Sequence, residues 1–327
     1  MGVRFPLAHR PGAVAVLDDD PGEVERLGAA LAPEWTVRTY GHPDSCTNAI
    51  QQEPPLWEQD YWAQQRVVED WKKGRGSLLR LIFDYWTTHP DRCDLTKVLL
   101  ADHLMPGTDG LAALTELVGW PGCKALLTGE AETDSAHEAL ARGQIDACIP
   151  KRVASAGGSA TVRALMHRPD TRANRIWRAT LSHSQLRLLN DDGVAAALVR
   201  YAHEHWHEWI CIGEPFGILG ADLWGGISWL QLQDPARLDE AADRAEHYCL
   251  RAADVRSIAA GHCLSNIELM LAVGGSAGQK AGHFAALPAF ALGPEGRLLG
   301  ALQMFHRSMG GPRMRRAQER AVNQSRF

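Results

Sequence analysis

Much of what would mark a common function is missing from this chain of 327 residues, and each absence removes a class. The seven cysteines (Cys46, Cys93, Cys123, Cys148, Cys211, Cys249, Cys263) are odd in number, scattered and without a C-x-x-C pair. That pattern suits a reducing cytoplasm better than a disulfide framework or a zinc module. No apolar run reaches membrane length, and the first residues, MGVRFPLAHRPGAVAVLDDD, meet acids too soon for a signal peptide, so a cytoplasmic protein is expected. A formal net charge of -5 gives no general argument for nucleic acid or membrane partners. There is no phosphate-binding loop, no kinase-like signature and no helix-turn-helix with a basic recognition helix. What is present, 45% hydrophobic and 22% charged residues, provides core and surface for two ordinary domains.

The first half is organised around Lys97 to Gly110, KVLLADHLMPGTDG. Val98, Leu99, Leu100 and Ala101 form an unbroken apolar run, as in a strand buried on both faces of a parallel sheet. The run ends on Asp102, and turn chemistry follows in Met105-Pro106-Gly107 and Asp109-Gly110. Ala13 to Leu17 reads as a second buried strand, ending on Asp18, Asp19 and Asp20. Pro21, Glu23 and Glu25 then suit the first turn of a helix with an apolar stripe at Val24, Leu27, Ala30 and Leu31. Thr36 to Tyr40 is a β-branched strand, Leu111 to Val118 a helix, and Lys124 to Leu127 a strand closing on Thr128-Gly129. Ser135 to Arg142 is a helix stopped by Gly143, and Asp146 to Pro150 a last strand that delivers Lys151.

Strands alternating with helices predict a doubly wound parallel sheet, whose working groups lie beyond the carboxyl ends of the strands. Those ends carry an acid cluster, a single acid, a hydroxyl and a lysine. Carboxylates held close together call for a divalent cation, and Mg²⁺ takes one or two carboxylates with waters and phosphate oxygens. A carboxylate beside such an ion can act as nucleophile on a phosphoryl group. The transferred group needs further donors on its equatorial oxygens, and a hydroxyl and an ammonium are the right types.

The succession LDDDP, VLLADHLMPGTDGL, LLTGEAE and IPK resembles the CheY-like receiver domain of two-component response regulators. The resemblance covers roughly the first half of the chain and implies a flavodoxin-like, five-stranded α/β fold. It implies that Asp18 and Asp19 hold Mg²⁺ together with Asp102 and the Leu104 backbone carbonyl. Asp102 would then be the phosphoacceptor, with Thr128 and Lys151 contacting the phosphate. A histidine kinase is the implied partner, and no turnover is implied beyond self-phosphotransfer and autodephosphorylation. Three departures stand out. Cys148 occupies the position where the family usually has an aromatic switch residue. Arg152 follows Lys151 where the family has proline. Asp19 and Asp102 are 83 positions apart, against about 45–60 for two successive βα units.

The excess places an insertion at about 50–94, in a receiver region spanning 1–155. It carries Trp57, Tyr61, Trp62, Trp71, Phe83, Tyr85 and Trp86. Trp57, Tyr61, Val68, Trp71, Leu78, Ile82, Tyr85 and Trp86 approximate helical spacing, interrupted by Lys72-Lys73-Gly74-Arg75-Gly76, so a bent helix or helical hairpin is expected. The aromatics have two readings: packing within the protein, or a face for a homodimer or another partner.

Residues 156–175 read as a linker and 176–327 as a smaller mixed α/β domain. There Ile176 to Trp206 is helical with a turn at Asn190 to Gly193. Trp209 to Ile212, Phe216 to Gly220 and Ile227 to Gln233 are strands. A helix opens at Asp234-Pro235, and a hairpin turns at Gly293-Pro294-Glu295-Gly296. The layout also resembles a set of bacterial response regulators with a helical insertion before the phosphorylated strand and a G-x-L-x-x-D…SWL hairpin, here Gly217 to Asp222 and Ser228 to Leu230. That resemblance implies a layout and no output. His203 and His207 in AHEHWHEW would share a helical face suited to a metal, against the plainer reading of a solvated helix end. Arg313, Arg315, Arg316 and Arg320 make a basic tail, read as solvated rather than as a nucleic-acid contact.

Three functions are consistent with these residues. The first is a switch phosphorylated on Asp102; the second is a phosphate-independent receiver-like scaffold. The third is an aspartyl-phosphate phosphohydrolase, disfavoured because Leu104 stands where such enzymes place a second acid.

Overall fold

The computed structural model describes residues 4–105, 108–129, 133–154, 160–274 and 284–305. They fall into two compact units. Among these residues, Pro11–Asp60 and Pro90–Arg168 form one; Arg4 to Arg10, Tyr61–His89 and Pro169 to Phe305 form the other.

The first unit is a flavodoxin-like sheet of strands β1 (Ala13–Leu17), β2 (Thr36–Tyr40), β3 (Thr96–Asp102), β4 (Cys123–Thr128) and β5 (Ala147–Pro150). All pairings are parallel and the spatial order is β2-β1-β3-β4-β5. The apolar runs are continuous because each strand faces two cores. Val14, Val16, Val98 and Leu100 point to the side of Leu27 and Leu31. Ala15, Leu17, Leu99 and Ala101 point to the side of Ile50 and Leu114. That is the period-2 alternation of a strand covered on both faces. A buried polar knot closes the opposite end of the sheet. The Glu53 carboxylate accepts from the Thr96 backbone N–H at 3.0 Å, from the Thr96 hydroxyl at 2.7 Å and from Arg38 at 2.8 Å.

The second unit contains a six-stranded sheet. In spatial order its strands are Ala8–His9, β6 (Glu208–Gly213), β7 (Phe216–Ala221), β8 (Ile227–Gln233), β10 (Leu298–Met304) and β9 (Phe290–Leu292), all antiparallel. Trp177, Trp209 and Trp229 are fully buried here. The indole N–H of Trp209 donates to the Pro6 carbonyl, and that of Trp177 to Gln64 Oε1. Helices Thr171–Arg178, His183–Leu189 and Asp192–His205 fill the region expected to be helical over 176–206; the turn expected at Asn190 to Gly193 is present, with Asp191 as cap, and Asp170 and Ser182 cap two further starts.

The unit boundaries differ from those read off the sequence. Residues up to Arg10 leave the receiver because Ala8–His9 pairs with β6 at Ile210 and Trp209. The insertion is the expected helical hairpin, Pro54–Lys72 and Leu78–Thr88, but Tyr61–His89 belongs to the second unit. Its bonds show why: the Tyr61 hydroxyl donates to Asp170 Oδ2, and Ser77 Oγ donates to the Ala272 carbonyl. Most of its aromatic face is internal, with Tyr61, Tyr85 and Trp86 buried and Trp62 63% exposed. The stretch 156–175 is not a plain linker. Helix Ala160–Met166 places Val162 and Met166 in the receiver core, and the helix starting at Thr171 belongs to the other unit. The basic tail at Arg313 to Arg320 lies outside the described residues, as do positions 106 and 107 of the turn after Asp102.

Candidate functional site at the carboxyl edge of the receiver sheet

Parallel pairing brings the chemistry-bearing strand ends level. Leu17 pairs with Ala101, Asp102 with Leu127, and Thr128 with Pro150. Asp18 and Asp19 therefore leave β1 beside Asp102, the last residue of the central strand. Thr128 ends β4, and Lys151 follows β5 directly.

Asp18, Asp19 and Asp102 each offer a carboxylate oxygen, and these atoms all lie within 4.8 Å of one another. Asp18 is 1% and Asp102 5% exposed, while Asp19 faces solvent. The ammonium of Lys151 lies 2.8 Å from Asp18 Oδ2 and 2.8 Å from Asp102 Oδ1, bridging the two buried acids. Burial pushes the Asp102 carboxyl above its ordinary pKa; the Lys151 hydrogen bond opposes that rise and the charge of Asp18 adds to it. For Lys151, burial works to lower the ammonium, but its hydrogen bonds to Asp102 and Asp18 prevail and raise it. The pocket thus holds two buried carboxylates against one ammonium, which offsets their charge in part.

Its frame is built locally. Asp18 Oδ1 accepts the Asp20 N–H at 3.0 Å, while the Asp20 side chain caps helix Pro21–Leu31 at Gly22. The third acid of the cluster is thus a cap. Beyond Asp102 the chain returns through a short ladder pairing Leu104 with Asp109, and the Gly110 N–H donates to the His103 carbonyl. A Cβ on Gly110 would lie 1.7 Å from the Asp102 carbonyl oxygen, so the Asp-Gly step is there for close approach to the acidic strand end. The Leu104 side chain is 62% exposed, and no acid stands at that position.

Thr128 is buried, and its hydroxyl lies 3.6 Å from the Cys148 thiol. Cys148, at the position where the resemblance implies an aromatic residue, therefore lies against the hydroxyl at the site. His103 was missed in the sequence. It is buried next to Asp102, with Nε2 3.3 Å from Ser135 Oγ on helix Thr133–Ala141. Its only sequence signal is adjacency to the acid.

His203 and His207 are not brought together on one helix. The helix ends at His205, and the His207 N–H donates to Ala221 at the end of β7. His203 lies against Trp209, ring centres 5.5 Å apart, and burial lowers its pKa. Among the described residues, the three carboxylates of the receiver are the one group of three or more such side chains placed to hold a metal. Three hard oxygen donors at that spacing fit Mg²⁺ and give no soft ligand for a thiophilic metal.

No protein-family model matches the chain, and no curated protein matches it. Among solved structures, it is similar to the Legionella pneumophila response regulator LqsR, at 17% identity and a TM-score of 0.63, over 94% of this chain and 91% of that one. It is also similar to a response regulator receiver domain protein from Clostridium thermocellum, at 18% identity and a TM-score of 0.31, over 48% of this chain and 95% of that one. An adenylate cyclase from Rhodopirellula baltica aligns at 15% identity and a TM-score of 0.33, over 55% of this chain and 98% of that one. The last two are too distant to carry an argument. The first shows the fold: a flavodoxin-like receiver sheet and a further antiparallel-sheet domain, laid out as in a response regulator.

Proposed function

We propose that this protein is a two-component response regulator whose Asp102 accepts a phosphoryl group from a partner histidine kinase in a Mg²⁺-dependent reaction. One observation carries the reading: a buried carboxylate at the end of the central strand, clustered with two more acids and bridged to one of them by Lys151. Asp18, Asp19 and Asp102, with the Leu104 carbonyl, would hold the ion, which offsets negative charge on the phosphoryl oxygens.

An Asp102 oxygen attacks phosphorus, the bond from phosphorus to the donor nitrogen breaks, and the imidazole leaves with a proton from water. Lys151 is already in contact with Asp102 and follows the negative charge outward as it moves onto the phosphoryl group. Thr128 exchanges its thiol neighbour for a phosphoryl oxygen, which ties phosphorylation to the loop after β4. Signalling then passes through protein contacts of the second unit or of the insertion, where Trp62 is exposed to a partner or a second copy. The seven free cysteines agree with work in a reducing cytoplasm. Among the described residues, no helix is long and apolar enough to cross a membrane.

Labelling by a small acyl-phosphate donor tests the reading. Wild type takes up phosphate only with Mg²⁺, and Asp102→Asn takes up none. Absence of labelling in wild type would favour a phosphate-independent scaffold, the reading to which Cys148 beside Thr128 lends support.

A further inference from the structure

The second unit holds a cleft of about 750 Å³, within the range of sites for small organic ligands. We infer that it binds a small organic cation, an amine carried on an apolar or aromatic body. Its apolar lining is supplied by Trp71, Leu188, Phe216 and Leu271 among others. Around it stand four carboxylates, Glu214, Asp234, Glu240 and Glu268, against two guanidiniums, Arg237 and Arg244. Arg237 bonds Glu240 and Arg244 bonds Glu268. Among the described residues no cation pairs with Glu214, which is exposed at the β6–β7 turn. An excess of acid in a cleft that also holds an indole attracts a cation through the carboxylates and offers it a ring quadrupole. An anion would meet repulsion from the same groups.

The walls are braced before any ligand arrives. Gln185 donates from Nε2 to the Gly213 carbonyl at 3.0 Å and accepts the Ser182 N–H at 2.8 Å, fixing the β6–β7 turn to helix His183–Leu189. Gly213 leaves no space there, since a Cβ would lie 2.2 Å from the Thr180 carbonyl oxygen. Elsewhere in the lining, Ser77 Oγ donates to the Ala272 carbonyl, holding the turn that follows Trp71 against helix Ile267–Gly274. A braced cleft loses little ordering entropy on binding. The site draws on none of the receiver residues, so it stands or falls apart from the reading of Asp102.

The test uses the full chain and two probes of similar body and opposite charge, 2-phenylethylamine and 3-phenylpropionate. Binding is followed through the indole N–H resonance of Trp71, assigned with Trp71→Phe. The amine is expected to shift that resonance saturably, with an affinity at least about tenfold above the carboxylate's. Glu214→Lys, at an exposed position, is expected to abolish or reverse the preference. The proposal is overturned if the carboxylate binds as well as the amine, if neither moves the Trp71 resonance, or if Glu214→Lys leaves amine affinity unchanged.

Discussion

Replacing Lys151 with Met keeps the unbranched stem of the side chain, one atom shorter, and removes the cation that bridges Asp18 and Asp102. Its ammonium stands 2.8 Å from each carboxylate, and both acids are almost wholly buried. Breaking a fully buried pair costs about 3–5 kcal/mol and an exposed one under about 1 kcal/mol. With the Lys151 side chain 26% exposed, a loss of about 2–3 kcal/mol follows in chelator, limited because Asp102 can take up a proton. Mg²⁺ reverses the deficit: at a hundred times its Kd it stabilises the folded state by about 2.7 kcal/mol. The variant gains more of this than wild type, which must first loosen its own ammonium. Urea unfolding of the receiver unit, read through Trp35 and Trp120 in its cores, should show the deficit in chelator shrinking below about 1 kcal/mol in saturating Mg²⁺. A deficit of the same size in both conditions, or none in chelator, would refute the view of Lys151 as the charge that holds the acids until a metal arrives.

Glu53→Ala should lower stability by about 2–3 kcal/mol in the same assay, since it leaves the buried Thr96 N–H unpaired and removes the carboxylate partner of the 35%-exposed Arg38, whereas Glu53→Gln should cost less. A loss under about 1 kcal/mol would mean the knot contributes nothing. Gly110→Ala forces a Cβ onto the Asp102 carbonyl and should slow phosphate uptake by about tenfold or more, measured as initial labelling rate. His203 has a folded pKa below its ordinary 6.5, so the unfolded chain takes up the proton first as pH falls. Stability is lost from about pH 6.5 downward to the lowered value, and His203→Phe should remove that component of an unfolding-versus-pH series.

The receiver was legible because its strands are covered on both faces and end on the chemistry. Runs such as Val98 to Ala101 and Ala13 to Leu17 need no partner information to be seen, and each delivers its acid at a fixed edge. Elements joined by short-range signals were also legible, such as the insertion's two helices on either side of Lys72 to Gly76. Membership of a unit was not, because it rests on contacts between distant residues. Nothing near Ala8 shows that it pairs with Ile210, and nothing near Tyr61 shows that its hydroxyl meets Asp170. The same holds for Glu53, whose partners Arg38 and Thr96 lie on different strands, and for the 3.6 Å approach of Cys148 to Thr128 across β4 and β5. His207 failed as a helical partner of His203 because the helix stops two residues earlier.

The most direct measurement is to locate the phosphoryl group itself. After reaction with a small acyl-phosphate donor and Mg²⁺, borohydride reduction converts an aspartyl phosphate to homoserine, which peptide mass spectrometry reads at a single position. The account predicts homoserine at Asp102, intact aspartate at Asp18 and Asp19, and no conversion in chelator. Conversion at Asp18 or Asp19, or none at Asp102 in the presence of Mg²⁺, would contradict it.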